Sequence, residues 1–154
     1  MTEQAPILKE ESGPVSNSAQ YHCHASRNAA ATFVGGAAIS WDVIVEDSSS
    51  MFNSGTPPVT TVTIPVDGIY IVSCGFYDTT GGNAAIYLKH NGNYTNNVLG
   101  GGESSNFSLD TSRTFQHVRR YSAGDTLLVE VAGGSLDVLA SRRELYWFTT
   151  TKIA

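Results

Sequence analysis

Charge is scarce in this 154-residue chain: Asp, Glu, Lys and Arg together supply 15% of it, and 14 acids against 9 bases leave a formal net charge of −5 and a pI near 5.2. That balance excludes a nucleic-acid backbone or an anionic membrane surface as the main partner. No apolar run approaches the roughly 18 residues that cross a bilayer, so no membrane insertion by a helix is read. Cysteine occurs only at Cys23 and Cys74. A secreted scaffold of this size more often carries several pairs, so both are expected as buried small hydrophobes, with a Cys23–Cys74 bridge as the alternative. Residues 1–11 lack a basic n-region and an apolar h-region. They are not read as a secretory signal, and a chain made and kept in a cytoplasm, at least until assembly, is expected.

Catalytic motifs are missing as well. Gly133-Gly134-Ser135-Leu136-Asp137 resembles a nucleophile elbow only by composition and reads as a loop between strands. There is no His-Glu-x-x-His, no Walker loop and no dinucleotide fingerprint. Gly100-Gly101-Gly102-Glu103 is not followed by a helix, so it has no positive dipole end for a phosphate. The chain is read as a non-enzyme without a cofactor. Helical periodicity is nearly absent too: only Leu136 to Tyr146 makes any such claim, and the Gly pair before it weakens that.

What the chain does have is short apolar runs broken by turns. Ile64-Pro65-Val66-Asp67-Gly68 leads through a Pro/Gly corner into Ile69-Tyr70-Ile71-Val72-Ser73-Cys74-Gly75-Phe76-Tyr77, whose β-branched and aromatic residues fit a pleated, two-sided environment. Strands are expected near 21–26, 31–34, 38–45, 58–64, 68–77, 83–90, 94–99, 112–121, 125–132 and 143–153. Asn91-Gly92 is the strongest hairpin signal, because a type I′ turn needs positive φ at both central residues. Ser54-Gly55-Thr56-Pro57-Pro58, Gly81-Gly82, Gly100-Gly101-Gly102 and Gly133-Gly134 supply further breaks. Residues 1–19 hold Pro6, Gly13-Pro14 and Ser16-Asn17-Ser18 but no aromatic, so they read as an extended arm with no core of its own. Residues 20–154 form one all-β domain, large enough to bury its own core.

The order of these signals resembles the globular head of the complement C1q and tumour necrosis factor superfamily. Val62-Thr63-Ile64-Pro65-Val66-Asp67-Gly68-Ile69-Tyr70 matches its strand and Pro/Gly turn, and Ile86 to Gly92 its Asn-Gly hairpin. Gly124-Asp125 with Leu127, Val129 and Val131 matches the turn and alternating strand that follow. Ala25-Ser26-Arg27 with Ile39 to Ile44 look like the opening strands, and Trp147 to Ile153 like the closing one. The resemblance covers nearly the whole chain from Tyr21. It implies a ten-stranded jelly-roll sandwich that works as a homotrimer. The chain departs from the family at Thr149-Thr150-Thr151, where members usually carry Gly and Phe, and it has no collagen-like Gly-X-Y stalk.

Candidate sites follow from the strand pattern. Tyr70 and Phe76 share one face of the central strand and Ile69, Ile71 and Tyr77 the other, so both faces are apolar and one needs a cover from outside the sandwich. Tyr70, Tyr77, Tyr146 and Phe148 are the candidate trimer-interface residues, with the monomer core as the competing place for each. His22 and His24 flank Cys23 on one strand face and form the one constellation with transition-metal character; exposed histidines are the simpler reading. Asp42, Glu46 and Asp47 raise calcium, against which the following Ser48-Ser49-Ser50 favours a solvated loop. Arg113, Arg119, Arg120, Arg142 and Arg143 raise an acidic-ligand patch, but alternation puts Arg119 and Arg120 on opposite faces. Asn93-Tyr94-Thr95 and Asn106-Phe107-Ser108 match the glycosylation pattern and carry no weight without a secretory signal.

Together these features predict a trimeric structural protein of a bacteriophage virion. It would decorate the capsid or form a fibre knob, docked on a major capsid or tail protein through residues 1–19. The alternative is a recognition module that binds a cell-surface ligand through apical loops at 78–83 and 99–106. A hydrolase or lyase on a jelly roll is a distant third.

Overall fold

The structure, a computed structural model, describes residues 21–53, 56–78, 84–94 and 111–154. The arm, the apical loops at 79–83 and 99–106, the breaks at Ser54-Gly55, Gly81-Gly82 and Gly100-Gly101-Gly102, and most of the strand expected at 94–99 lie outside the described residues.

Twelve strands and one 3-10 turn run through the described chain: β1 (His22–Ser26), β2 (Ala31–Val34), β3 (Ala37–Ala38), β4 (Val43–Asp47), β5 (Thr61–Thr63), β6 (Gly68–Asp78), β7 (Ala85–His90), β8 (Asn93–Tyr94), β9 (Thr111–Tyr121), β10 (Thr126–Gly133), β11 (Ser135–Val138), the turn Ala140–Leu145, and β12 (Trp147–Lys152). They make an antiparallel jelly roll. One sheet has the order β4-β1-β12-β6-β9; the other runs β3-β10-β7-β8, with β5 also pairing β10; β11 and β2 form a small third sheet.

Alternation explains why these residues fold this way. Every second residue of β6, namely Tyr70, Val72, Cys74 and Phe76, is buried, and so are Cys23 and Ala25 of β1 and Phe148 and Thr150 of β12. From the opposite sheet Ile86 and Leu88 of β7 and Leu127, Val129 and Val131 of β10 close the core. Trp41 fills its centre, stacked on Phe148 at 5.8 Å and tilted against Phe76 at 6.1 Å. The Asn91-Gly92 hairpin joins β7 to β8 as expected, with φ of 50° and 77°.

One expectation is corrected. Residues 38–45 do not form one strand: β3 belongs to one sheet and β4 to the other, and the chain crosses between them at Trp41, which pairs with Val59 in an isolated bridge. Leu136 to Tyr146 is not a helix. Its first part is β11, held to β2, with Leu136 and Val138 turned inward; its second is a 3-10 turn interrupted at Arg142. Cys23 and Cys74 are both free and buried.

Because Trp41 is buried and packs on both Phe76 and Phe148, Trp41→Ala should leave a void that no neighbour can fill. The expected loss is about 3–5 kcal/mol, to be read from the urea midpoint at unchanged m-value.

Candidate functional site

Tyr70 (0% exposed), Tyr77 (6%), Tyr146 (1%) and Phe148 (2%) all lie in the protomer core. Tyr70 and Phe148 point between the sheets, and the Tyr70 hydroxyl donates to the Val66 carbonyl at 2.9 Å. The Tyr146 hydroxyl donates to the Tyr77 carbonyl at 2.7 Å, and the Arg142 guanidinium lies 5.3 Å over the Tyr77 ring, so the 3-10 turn covers that side chain. A side chain with no surface in a single chain has none to offer a second copy. The surface that faces outward on the same sheet is made by other residues.

Register identifies them. Across β1, β12, β6 and β9 the aligned rows are His22–Thr151–Ile71–Val118, His24–Thr149–Ser73–Gln116 and Ser26–Trp147–Gly75–Thr114. This is the face opposite Tyr70, Val72, Cys74 and Phe76. The Thr149-Thr150-Thr151 run is thereby divided, with Thr150 in the core and its two neighbours outward. Ile71 and Trp147 are half-buried, and Val118, on the free edge strand β9, is 53% exposed.

Gly75 shapes the middle of this face. A side chain there would collide with the Trp147 indole, so glycine lets the ring lie across β6. Beside the indole a cavity of about 370 Å³ is lined by Ser73, Thr114, Phe115, Gln116 and Trp147. Gln116 Nε2 donates to Ser73 Oγ at 3.4 Å inside it. The face therefore carries an apolar pair, Ile71 and Val118, and the Trp147 indole, with the polar row His24–Thr149–Ser73–Gln116 between them.

At the β1 end the face turns polar. His22 Nδ1 lies 2.7 Å from Thr151 Oγ1, and its Nε2 lies 3.8 Å from Glu46. Burial and the neighbouring His22 hold the His24 imidazole below its usual pKa, against the pull of Glu46. The structure brings His22 and His24 to one face, but among the described residues no group of three or more His, Cys, Asp or Glu is arranged to hold a metal ion.

Two of the three acids read as calcium ligands, Asp42 and Asp47, are tied to backbone instead, while Glu46 lies beside His22. Asp42 accepts the Asn28 and Ala29 N–H groups, each at 2.7 Å, and Asp47 accepts those of Met51 at 2.6 Å and Phe52 at 3.2 Å. Each carboxylate fixes a loop to a strand end. Arg119 and Arg120 pair with Tyr70 and Ile69 and so lie on opposite faces, as expected, and Arg142 sits on Tyr77. Those three form no common patch; the side chains of Arg113 and Arg143 lie outside the description. Gly133-Gly134-Ser135 joins β10 to β11 and is no nucleophile elbow. Burial, then the nearby Asp47, pushes the Cys23 thiol up to about 12, and burial drives Cys74 well above its usual value, so neither supplies a thiolate.

No protein-family model matches the chain, and no curated protein matches it. Solved structures do match in fold. Murine APRIL at pH 8.5 superposes with a TM-score of 0.59 at 15% identity, over 86% of this chain and 98% of that one. Eiger TNF from S. frugiperda gives 0.57 at 15%, over 87% and 92%. The globular domain of zebrafish complement 1qA protein gives 0.55 at 12%, over 85% and 93%. At such identities the likeness is one of fold, and the fold is the jelly roll of the TNF and C1q heads.

If Gly75 exists to seat the indole, Gly75→Ala should cost about 1–3 kcal/mol through overpacking. Trp147→Leu in the same chain should return most of that loss. A double-mutant cycle by urea unfolding measures it, and additive effects would show that Gly75 and Trp147 are independent.

Proposed function

We propose that this chain is a non-enzymatic head domain that assembles as a homotrimer through the outer face of its five-stranded sheet. The observation that carries the reading is that face itself: Ile71 and Val118 form an apolar pair at one end and the Trp147 indole stands beside an open recess at the other. Apolar surface of this kind on a sheet that already has its core on the other side calls for a partner. A second copy is the partner that the TNF and C1q fold favours. The two buried thiols and the backbone-tied acids support a role in binding or structure rather than catalysis.

Within that reading the assembly is a structural component of a bacteriophage virion, decorating the capsid or forming a fibre knob. Support comes from the sequence: a polar segment of residues 1–19 with too little apolar area to offset the ordering of its own backbone, joined to a head that folds by itself. Such a segment becomes fixed only against another surface, here a major capsid or tail protein.

Sedimentation at micromolar concentration should report a trimer, and Ile71→Glu with Val118→Glu should convert it to a folded monomer, because three buried copies of each charge would face unpaired desolvation. A wild-type monomer under those conditions would sink the trimeric reading. Deleting residues 1–19 should leave a soluble trimer that no longer decorates purified particles; undiminished decoration would remove the docking role, and absence of the full chain from such particles would remove the virion.

A further inference from the structure

At one end of the sandwich three polar rings crowd together with their hydrogen-bonding capacity unmet. Tyr121 closes β9, is 1% exposed, and its hydroxyl has no partner. His90, the last residue of β7, meets the Tyr121 ring edge-on at 5.2 Å, and His117, also on β9, meets it at 6.5 Å. His117 lies opposite Val72 and so points into the sandwich, and its Nδ1 is buried without a partner. Tyr70 completes the group from β6 at 6.2 Å from Tyr121. A buried polar atom left unpaired costs free energy, so this packing holds against a standing penalty.

The charges around it are one-sided. From β9 itself Arg119 faces His117, and from β7 His90 does. The β9–β10 turn brings Asp125, whose Oδ2 lies 2.9 Å from His90 Nε2, but off the direction of a hydrogen bond to the ring nitrogen. That carboxylate is already engaged by the Ser122 N–H at 2.8 Å and by Asn91 Nδ2 at 2.7 Å. Asp67, beyond Tyr70, is turned onto the Ala123 N–H at 2.8 Å. The residue opposite His117 on β6, Val72, and the one opposite His90 on β10, Leu127, are apolar. Among the described residues, then, a proton arriving on His117 meets two potential cations and no carboxylate of its own.

We propose that His90, His117 and Tyr121 form an acid-sensitive latch that holds strand β9 to β7 of the opposite sheet, and that protonation of His117 releases it. Burial, then Arg119 and His90, keep His117 below its ordinary pKa in the closed state. The sign follows: with the latch open, the ring takes its proton at the ordinary value near 6.5, and with the latch closed it resists. Closed-state stability is full above that pH and is lost as pH falls below it. Asp125 titrates lower: burial raises it, but Ser122, Asn91 and His90 together outweigh that and hold it below the usual carboxylate value. The loss of closed-state stability on acidification is therefore assigned to His117. Since Val118 lies between His117 and Arg119 on the same strand, opening would also loosen the intersubunit face; that consequence rests on the trimeric reading, whereas the latch itself does not.

Amide hydrogen exchange on the full chain at pH 7.5 and 5.3, corrected for the intrinsic pH dependence of exchange, tests this directly. Protection of residues 114–121 should fall more than about threefold relative to β1 and β12 on acidification, and His117→Phe should abolish that drop. Should His117→Phe not fold, His117→Gln, which cannot gain charge, serves the same purpose. His24→Gln should leave the β9 response intact, separating it from the other histidine whose charge is disfavoured. Equal protection of β9 at both pH values, or an acid response that persists without His117, overturns the latch. A monomer by sedimentation at pH 7.5 would remove only the consequence for assembly, because the exchange measurement reads the single chain.

Discussion

Strand β6 is hydrogen-bonded along both edges, to β12 over Tyr70 to Gly75 and to β9 over its full length from Gly68 to Asp78. Among the described residues it is the longest strand of its sheet paired on both edges, and the strict alternation of a strand sets the fate of every side chain it carries. One set, Tyr70, Val72, Cys74 and Phe76, is fixed in the core against Trp41 and the opposite sheet. Of the other set, Gly75 is covered by the Trp147 indole and Ser73 is buried, while Ile69 and Ile71 stay half-buried on the outer face. A one-residue slip would exchange the two sets, so the core also dictates which residues remain on the outer face.

The strands, the Asn91-Gly92 hairpin and the two-sided character of β6 were legible in the sequence, because each depends on neighbours in the chain. The choice of face was not. Large aromatic residues are equally at home in a core and in an interface, and strand parity alone does not say which face of β6 is which; the structure places Tyr70, Tyr77, Tyr146 and Phe148 inside, where the Tyr70 and Tyr146 hydroxyls find the Val66 and Tyr77 carbonyls. The residues that do face outward are modest: a glycine, two threonines, an isoleucine and a tryptophan. A signal was present in Gly75, since a glycine in the middle of a long apolar strand marks close approach by another group, and that group is Trp147.

Crossings between sheets were equally hidden. Residues 38–45 read as one strand because their apolar pattern is continuous, yet Trp41 carries the chain from one sheet to the other. The same limit applies to the acids near 42–47. Their spacing alone suits a hard cation, but the Asp42 and Asp47 carboxylates are consumed by backbone N–H groups from Asn28, Ala29, Met51 and Phe52 that only the fold brings near. Local sequence shows which donors and acceptors exist; tertiary contacts decide which of them are spent.

Strand β9 carries this logic furthest. Among the described residues it is the outermost strand of the five-stranded sheet, and its outward residues are Thr114 and Gln116, which line the recess on the outer face, and Val118. Its inward residues, Phe115, His117 and Tyr121, include the unpartnered polar groups at the sandwich end. An edge strand has a ladder on one side only, so less holds it than holds β6. With both sets of side chains on one such strand, any event that weakens its inward packing also moves its outward surface, and no separate transmission between interior and interface is required.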